Sequence, residues 1–98
     1  MKIKKLDRRM NGYGDFKYAA DFTYNWKGTR FDHAREWCWT TFGPSVELDI
    51  WHELDRPGDG RNDKWAWDRG QYNKTFRCII YLKGDQEVTW FRLRFGEE

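Results

Sequence analysis

The feature that most constrains the fold is a strict alternation of side-chain type over residues 16–26. Apolar side chains, most of them aromatic, stand at the even positions, and polar or small side chains stand at the odd positions. Because successive side chains of a β-strand point to opposite faces, this two-residue period predicts a strand with one buried face. Lys27 and Gly28 end the pattern. The chain must therefore bury one face of a sheet.

A helix is predicted next, over residues 30–42. The hydroxyl of Thr29 can accept a hydrogen bond from the N–H of Asp32, a common way to begin a helix. Gly43 suits the position after the last helical residue, and the helix cannot continue through Pro44. Apolar side chains recur at helical spacing on one side, which predicts an amphipathic helix. That side consists mainly of Phe31, Ala34, Cys38 and Phe42.

Three further strands are predicted from alternation. Residues 46–54 alternate in side-chain type, and so do residues 75–82 and 87–95. Gly84 and Asp85, between the last two segments, are typical of a two-residue hairpin turn. We therefore expect these two segments to pair as an antiparallel hairpin, with Phe91 on its buried side.

Two segments fit no regular element. Residues 55–73 show no period and are interpreted as a long loop, which in a compact domain is either functional or mobile. Residues 1–12 are interpreted as a basic arm, whose conformation as a strand, a helix or a loose terminus stays open. Residues 1–10 hold five basic and one acidic side chain, whereas the remaining 13 basic and 15 acidic residues give a net charge of −2. Such an arm is either a solvated terminus or a contact for phosphates.

These elements predict a single α+β domain over residues 1–98. One amphipathic helix would pack on one face of a four-stranded, mainly antiparallel sheet, in the order β-α-β-β-β after the basic arm. Aromatic residues form 19% of the chain, which excludes a disordered protein. No apolar run is long enough to cross a membrane, and no secretory signal is recognised, so we expect a cytoplasmic protein.

The second face of the predicted sheet, opposite the helix, is more apolar than a sheet face that meets water normally is. An exposed apolar cluster of this size normally marks an interaction site. We expect Trp65 or Trp67 of the long loop, or a second copy of the chain, to cover it, and an open binding face is the remaining alternative. The side chains assigned to this face are Trp51, Ile79, Tyr81, Val88 and Trp90.

The chain is predicted to be a small, non-catalytic interaction module that binds through the second face and the Trp-rich loop. Its partner would be an unidentified protein or a second copy of the chain. The alternative is a single-stranded nucleic-acid binder, in which Trp rings stack on bases and Arg side chains contact phosphates. Trp residues that only anchor the loop would explain the same pattern. The candidate binding residues are Trp51, Trp65, Trp67, Arg69, Tyr72, Arg77, Trp90, Arg92 and Arg94.

No catalytic or cofactor motif is found, so we expect neither an enzyme nor a bound cofactor. The alternative is a small enzyme whose site forms only in three dimensions. His33 lies on the polar side of the predicted helix, and His52 lies on the buried side of the strand predicted over residues 46–54. Neither histidine has a motif of catalytic residues around it.

No metal site is expected either. A calcium loop that starts at Asp59 would place Arg61 and Lys64 where an oxygen ligand and a glycine are needed. Cys38 and Cys78 match no zinc or redox spacing. Both fall on predicted core faces, so we expect buried free thiols.

Overall fold

The structure is a computed structural model that describes residues 2–8, 13–22, 30–54, 62–72 and 75–95, with residues 71, 72 and 75–77 described by their backbone alone. Within these ranges, four strands and three helices follow in the order β-β-α-α-β-β-α. They are β1 (Lys2–Lys5), β2 (Tyr18–Asp21), α1 (Arg30–Phe42), α2 (Leu48–Glu53), β3 (Trp65–Tyr72), β4 (Thr75–Leu82) and α3 (Asp85–Phe95).

The four strands form one sheet in the order β1-β2-β4-β3, and every neighbouring pair is antiparallel. The predicted α+β class and the four-stranded antiparallel sheet are confirmed. β3 and β4 form the hairpin, with Trp65 opposite Leu82. On the other side of β4, Tyr18 of β2 pairs with the same Leu82, and Lys5 of the outer strand β1 pairs with Tyr18. Three helices accompany the sheet, where one was predicted, and they cover both of its faces.

α1 spans the predicted residues 30–42. Gly43 follows it with φ of 101°, in the left-handed region that glycine adopts at little cost. Its N–H donates to the carbonyl of Trp39 at 3.1 Å. The prediction of this helix depended only on local signals, namely apolar spacing and end residues, and such signals are visible in a sequence.

The first face of the sheet is covered by α1 and α3. Phe22 contacts Phe31 of α1 and Phe91 of α3 edge-on, with ring centroids 5.9 and 6.3 Å apart. The main core of the protein therefore lies between these two helices and the sheet. Its buried members are Ala20, Phe22, Phe31, Ala34, Cys38, Trp65, Cys78, Ile80, Leu82, Val88 and Phe91.

The second face is covered by α2 and by the segment that precedes β2. Ile79 and Tyr81 lie on this face, as predicted, and are buried with Trp51 of α2. Phe16 fills the space between them, with its ring centroid 4.9 Å from that of Trp51 and 6.0 Å from that of Tyr81. The expectation that Trp65 or Trp67 supplies the cover was wrong, because β3 directs both rings to the first face.

Residues 46–54 are not a strand, because Leu48–Glu53 form α2. The N–H of Trp51 donates to the carbonyl of Glu47 at 2.8 Å, which closes the helical turn. Leu48 and Trp51, three residues apart, are the side chains that α2 buries, whereas Ile50 is 46% exposed. In a window this short, apolar residues satisfy a period of two and a helical period equally well.

The predicted hairpin of residues 75–82 and 87–95 is correct only for its first strand. Residues 75–82 form β4, but residues 87–95 belong to α3, which begins at Asp85. Val88 and Phe91 are buried at helical spacing. The first turn is acidic and the last turn is basic, which is favourable with the helix dipole, and this charge order was the overlooked sign of a helix.

The long loop predicted over residues 55–73 contains strand β3. Trp65 and Trp67 alternate with Ala66 as a strand requires, but the charged residues around them hid this short period. β3 is the true partner of β4 in the hairpin. Residues 55–61, including Asp59 of the rejected calcium loop, lie outside the described residues.

The strand predicted over residues 16–26 is shorter than expected, since β2 covers Tyr18–Asp21 and residues 23–26 lie outside the described ranges. Part of the basic arm, Lys2–Lys5, is the outer strand β1. Its three lysines are exposed, which hinders pairing of this edge with another sheet.

Candidate functional site: the outer face of α3 and a basic pocket

Two of the predicted binding residues are structural anchors. Trp51 and Trp65 are 3% and 0% exposed. The indole N–H of Trp51 donates to the carbonyl of Asn62 at 2.7 Å, and that of Trp65 donates to the carbonyl of Gly43 at 2.7 Å. Neither ring can stack on a base or a partner unless the core around it opens. The anchoring interpretation explains both residues.

Trp67 and Arg69 lie on the outer strand β3 and face α1. The guanidinium of Arg35 lies 4.7 Å from the centroid of the Trp67 ring, and Arg69 donates to a carboxylate oxygen of Asp32 at 3.2 Å. Asp32 also lies 3.6 Å from Arg35. Asp32, Arg35 and Trp67 line an open groove of about 370 Å³. The guanidinium groups of Arg35 and of nearby Arg69 both have Asp32 as a partner within the fold.

The remaining predicted binding residues lie in two places. Tyr72 and Arg77 belong to the end of the β3–β4 hairpin, where only the backbone is described. Trp90, Arg92 and Arg94 are exposed on α3. The nine predicted residues are therefore distributed over both cores, the α1–β3 groove, the hairpin end and α3. Among those whose side chains the structure describes, Trp90, Arg92 and Arg94 are exposed together on α3.

An apolar stripe runs along the outer side of α3. Val88 and Phe91 face the sheet, so Trp90 and Leu93 face away from it and are 47% and 81% exposed. The ring of Trp90 stacks on Phe42 of α1, with centroids 6.2 Å apart and planes inclined by 11°. This contact holds the indole in place. The α3 stripe is defined as Trp90 and Leu93 with the flanking side chains Glu87 and Arg94.

The start of α3 is tied to the sheet through Asp85. Its carboxylate accepts a hydrogen bond from the hydroxyl of Tyr18 at 2.6 Å and from the ammonium of Lys17 at 3.3 Å. The hydrogen bond from Tyr18, followed by that from Lys17, lowers the pKa of Asp85, and the same hydrogen bond to Asp85 raises the pKa of Tyr18. These contacts set the position of α3 on the sheet and hence the direction in which the α3 stripe faces.

A second surface lies where β1 ends and β2 begins, and the sequence indicated only the part of it that the basic arm carries, Lys5. A pocket of about 370 Å³ opens there, and Tyr13 on its rim is 51% exposed. The N–H of Lys17 lies 3.1 Å from the carbonyl oxygens of both Leu82 and Lys83, which brings strands β2 and β4 together at the pocket. The basic pocket is defined by Lys5, Tyr13, Lys17 and Lys83.

The groups most often used in catalysis are dispersed over the described residues. His33 lies on α1 and His52 on α2, on opposite sides of the sheet. His52, which was predicted to be buried, is exposed, and its Nε2 lies 3.3 Å from a carboxylate oxygen of Asp15. Cys38 and Cys78 are buried free thiols, as predicted, and desolvation raises the pKa of both.

Among the residues that the structure describes, no three His, Cys, Asp or Glu side chains are grouped so that they could hold a metal ion. In the same ranges, no helix has both the length and the apolar character that crossing a membrane requires. Neither protein-family models, nor curated proteins, nor solved structures gave a match to this chain. Its function is therefore inferred from the α3 stripe and the basic pocket.

Proposed function

We propose that this protein is a non-catalytic interaction module that binds through the α3 stripe, and that its partner is a second copy of the chain. The observation that supports this proposal most directly is that Trp90 and Leu93, on adjacent turns of one helix, are 47% and 81% exposed. A helix that faces water usually carries polar side chains on its outer side, and neighbouring exposed apolar groups mark interaction sites. Because Phe42 already holds the indole of Trp90, little side-chain freedom is lost on binding.

The order of charges along α3 supports an antiparallel, twofold pairing. Its first turn is acidic and its last turn is basic. Glu87 and Arg94 are seven residues apart, so they lie on the same flank of the helix. In a twofold pair the same surface of both copies is used, so Glu87 of one copy would lie opposite Arg94 of the other. A parallel pairing of α3 would instead oppose like charges.

We expect this association to be weak. Complete burial of one large apolar side chain contributes about 1.5–3 kcal/mol. Each copy contributes two such side chains, Trp90 and Leu93, of which Trp90 is already about half covered in the monomer. The loss of translational and rotational freedom opposes association by roughly 4–15 kcal/mol. A dissociation constant in the micromolar range or weaker is therefore expected.

Sedimentation equilibrium from low micromolar to submillimolar concentration tests this proposal. The wild-type protein should move from monomer mass towards dimer mass, and Leu93→Asp should remain monomeric. Arg94→Glu should weaken the dimer because it opposes two acidic side chains, and the double substitution Glu87→Arg with Arg94→Glu should restore it. Trp39→Ala is the control, because this ring is 48% exposed on α1 but lies in the groove next to β3.

Two results would contradict the proposal. A wild-type protein that stays monomeric over the whole concentration range would show that the second copy is not the partner. A dimer that Trp39→Ala weakens as strongly as Leu93→Asp would place the contact outside the α3 stripe. Circular dichroism of each variant confirms that the comparison is between folded proteins.

We further propose that the protein resides in the cytoplasm. Cys38 and Cys78 are both free and buried. Unpaired thiols are typical of a reducing compartment, so this observation supports the assignment. Fluorescence imaging of the tagged full-length chain in its own cells tests it, and accumulation in an oxidising compartment would contradict it.

A further inference from the structure

The basic pocket gathers lysines from three strands of the sheet. Lys5 ends β1, Lys17 precedes β2 and Lys83 follows β4. Backbone hydrogen bonds join these positions, since the N–H of Leu6 donates to the carbonyl of Lys17 at 2.9 Å and the N–H of Lys17 lies 3.1 Å from the carbonyl of Lys83. The N–H of Lys83 in turn donates to the carbonyl of Lys64 at 2.9 Å. The end of the sheet is therefore a row of cationic side chains held at strand spacing.

Positive charge exceeds negative charge at this pocket. Three lysines line it, together with the one carboxylate of Asp15, which lies 3.3 Å from Nε2 of His52. In the described part of the chain, Lys17 is the pocket lysine that forms an ion pair, with Asp85 at 3.3 Å. The ammonium group of Lys83 is therefore available to an anion, and so is that of Lys5, which Asp85 attracts at longer range without forming an ion pair.

Protection of a sheet edge does not explain all of these lysines. Lysine on an outer strand hinders pairing with another sheet, which accounts for those of β1. Lys17 and Lys83, however, adjoin β2 and β4, which are the two central strands. Central strands have no free edge to protect. The two lysines next to these strands therefore need a different explanation.

An aromatic ring stands beside these cations. Tyr13 is 51% exposed on the pocket rim and is followed by Gly14, whose φ of 92° turns the chain. Three residues later, Phe16 is 3% exposed and packs against Trp51, which fixes the base of this turn. A phenol ring beside several cations is the combination that recognises single-stranded nucleic acid, because bases stack on the ring and phosphates contact the ammonium groups.

We propose that the basic pocket binds single-stranded nucleic acid, with a base stacked on Tyr13 and phosphates bound by Lys5 and Lys83, while Lys17 keeps its ion pair with Asp85. This site is separate from the α3 stripe, and neither proposal depends on the other. It also differs from the nucleic-acid site expected from the sequence, which relied on Trp and Arg side chains and included the buried Trp65.

A fluorescein-labelled oligothymidylate is the probe, and its anisotropy is measured at several salt concentrations. With two phosphate contacts on a single strand, the logarithm of the association constant should fall with the logarithm of salt concentration with a slope of about −1.4. Lys83→Gln should reduce the magnitude of that slope by about 0.7. Tyr13→Ala should weaken binding at least about fivefold, whereas Tyr13→Phe, which keeps the ring, should bind as the wild type does.

The control for charge is Arg35→Gln, which removes one positive charge from α1, outside both the pocket and the α3 stripe. It should leave oligothymidylate binding unchanged. The wild-type protein supplies a check that needs no substitution, because the amide NMR signals of Lys5, Tyr13 and Lys83 should shift when the oligonucleotide is added.

The proposal is overturned by an absence of binding at low salt. It is overturned equally if Arg35→Gln weakens binding as much as Lys83→Gln does, since the attraction would then come from diffuse charge. Heparin offers a polyanion without bases. If heparin binds as tightly as oligothymidylate and Tyr13→Ala affects neither, the pocket holds anions and does not recognise nucleic acid.

Discussion

Substituting Phe for Trp65 or for Trp67 makes the same chemical change at two positions that differ in whether the indole N–H has a hydrogen-bond partner. Both rings lie on the first face of β3, two residues apart. The indole N–H of Trp65 donates to the carbonyl of Gly43 at 2.7 Å. That of Trp67 is buried and has no hydrogen-bond partner in the described part of the chain. We expect Trp65→Phe to lower the free energy of unfolding strongly and Trp67→Phe to leave it nearly unchanged.

The loss at Trp65 has two sources. The carbonyl of Gly43, in a partly buried site, loses its donor, which costs about 1–3 kcal/mol. Because Trp65 is 0% exposed, the smaller ring also leaves a void, and at roughly 24 cal/mol per Å³ a void of about 40 Å³ costs about 1 kcal/mol. The free energy of unfolding should therefore fall by about 2–4 kcal/mol.

The corresponding terms at Trp67 nearly cancel. Removing an N–H that is buried without a partner relieves a cost of about 1–3 kcal/mol. The smaller ring weakens the contact with the guanidinium of Arg35, which lies 4.7 Å from the indole centroid, and such a contact contributes about 0.5–1 kcal/mol at an exposed site. A net change close to zero, or a slight stabilisation, is expected.

Urea unfolding followed by far-UV circular dichroism measures both variants without relying on the Trp fluorescence that each substitution alters. Thermal unfolding gives a second measure, because 1 kcal/mol corresponds to about 4–8 °C in Tm for a domain of this size. Equal losses of stability in the two variants would refute the reasoning, since the hydrogen bond of Trp65 would then not separate them. A greater loss for Trp67→Phe would refute it as well.

Three further predictions concern stability. Phe91→Ala should lower the free energy of unfolding by about 3–5 kcal/mol in chemical denaturation, because its ring is 0% exposed. Leu93→Ala, at a side chain 81% exposed, should change it by no more than about 0.5 kcal/mol. Similar losses in both would contradict the orientation of α3. Gly43→Ala should cost about 1–2 kcal/mol because its φ is 101°, and an unchanged denaturation midpoint would argue against that conformation. The lowered pKa of Asp85 means that its stabilising contribution is present above the unfolded-state pKa and is lost as the pH falls through the folded-state pKa. The raised pKa of Tyr18 gives a contribution to stability that is lost as the pH rises through the folded-state pKa. Tyr18→Phe should therefore flatten the dependence of Tm on pH at both the acidic and the alkaline end. An unaltered profile would count against the hydrogen bond between Tyr18 and Asp85.

The elements that the sequence predicts correctly are those whose signals are local. The limits of α1 were predicted from its apolar spacing and from Gly43, and in the structure the helix ends at Phe42. β4 and the burial of Phe22 and Phe91 were also predicted correctly. Phe91 was predicted to be buried on a strand, but it is buried on a helix, because one buried position in a short segment satisfies either geometry.

The candidate sites were the least predictable part. The Trp residues that looked suited to binding, Trp51 and Trp65, are instead held in the two cores by hydrogen bonds to backbone carbonyls. The basic pocket joins Lys5, Lys17 and Lys83, which no local pattern connects. Which aromatic rings are exposed depends on which elements happen to cover them, and that is a property of the whole fold.

By itself, the sequence determined the α+β class, the antiparallel sheet and the position of α1, because these depend on alternation, helical spacing and end residues within a few positions of one another. Only the tertiary structure decided that residues 48–53 and 85–95 are helices and that residues 65–72 are a strand. Over six to eleven residues the two periods overlap, and the free energy that separates them comes from the apolar surface available for burial. That surface is provided by residues distant in the chain: the second face of β4 for α2, and the first face together with α1 for α3.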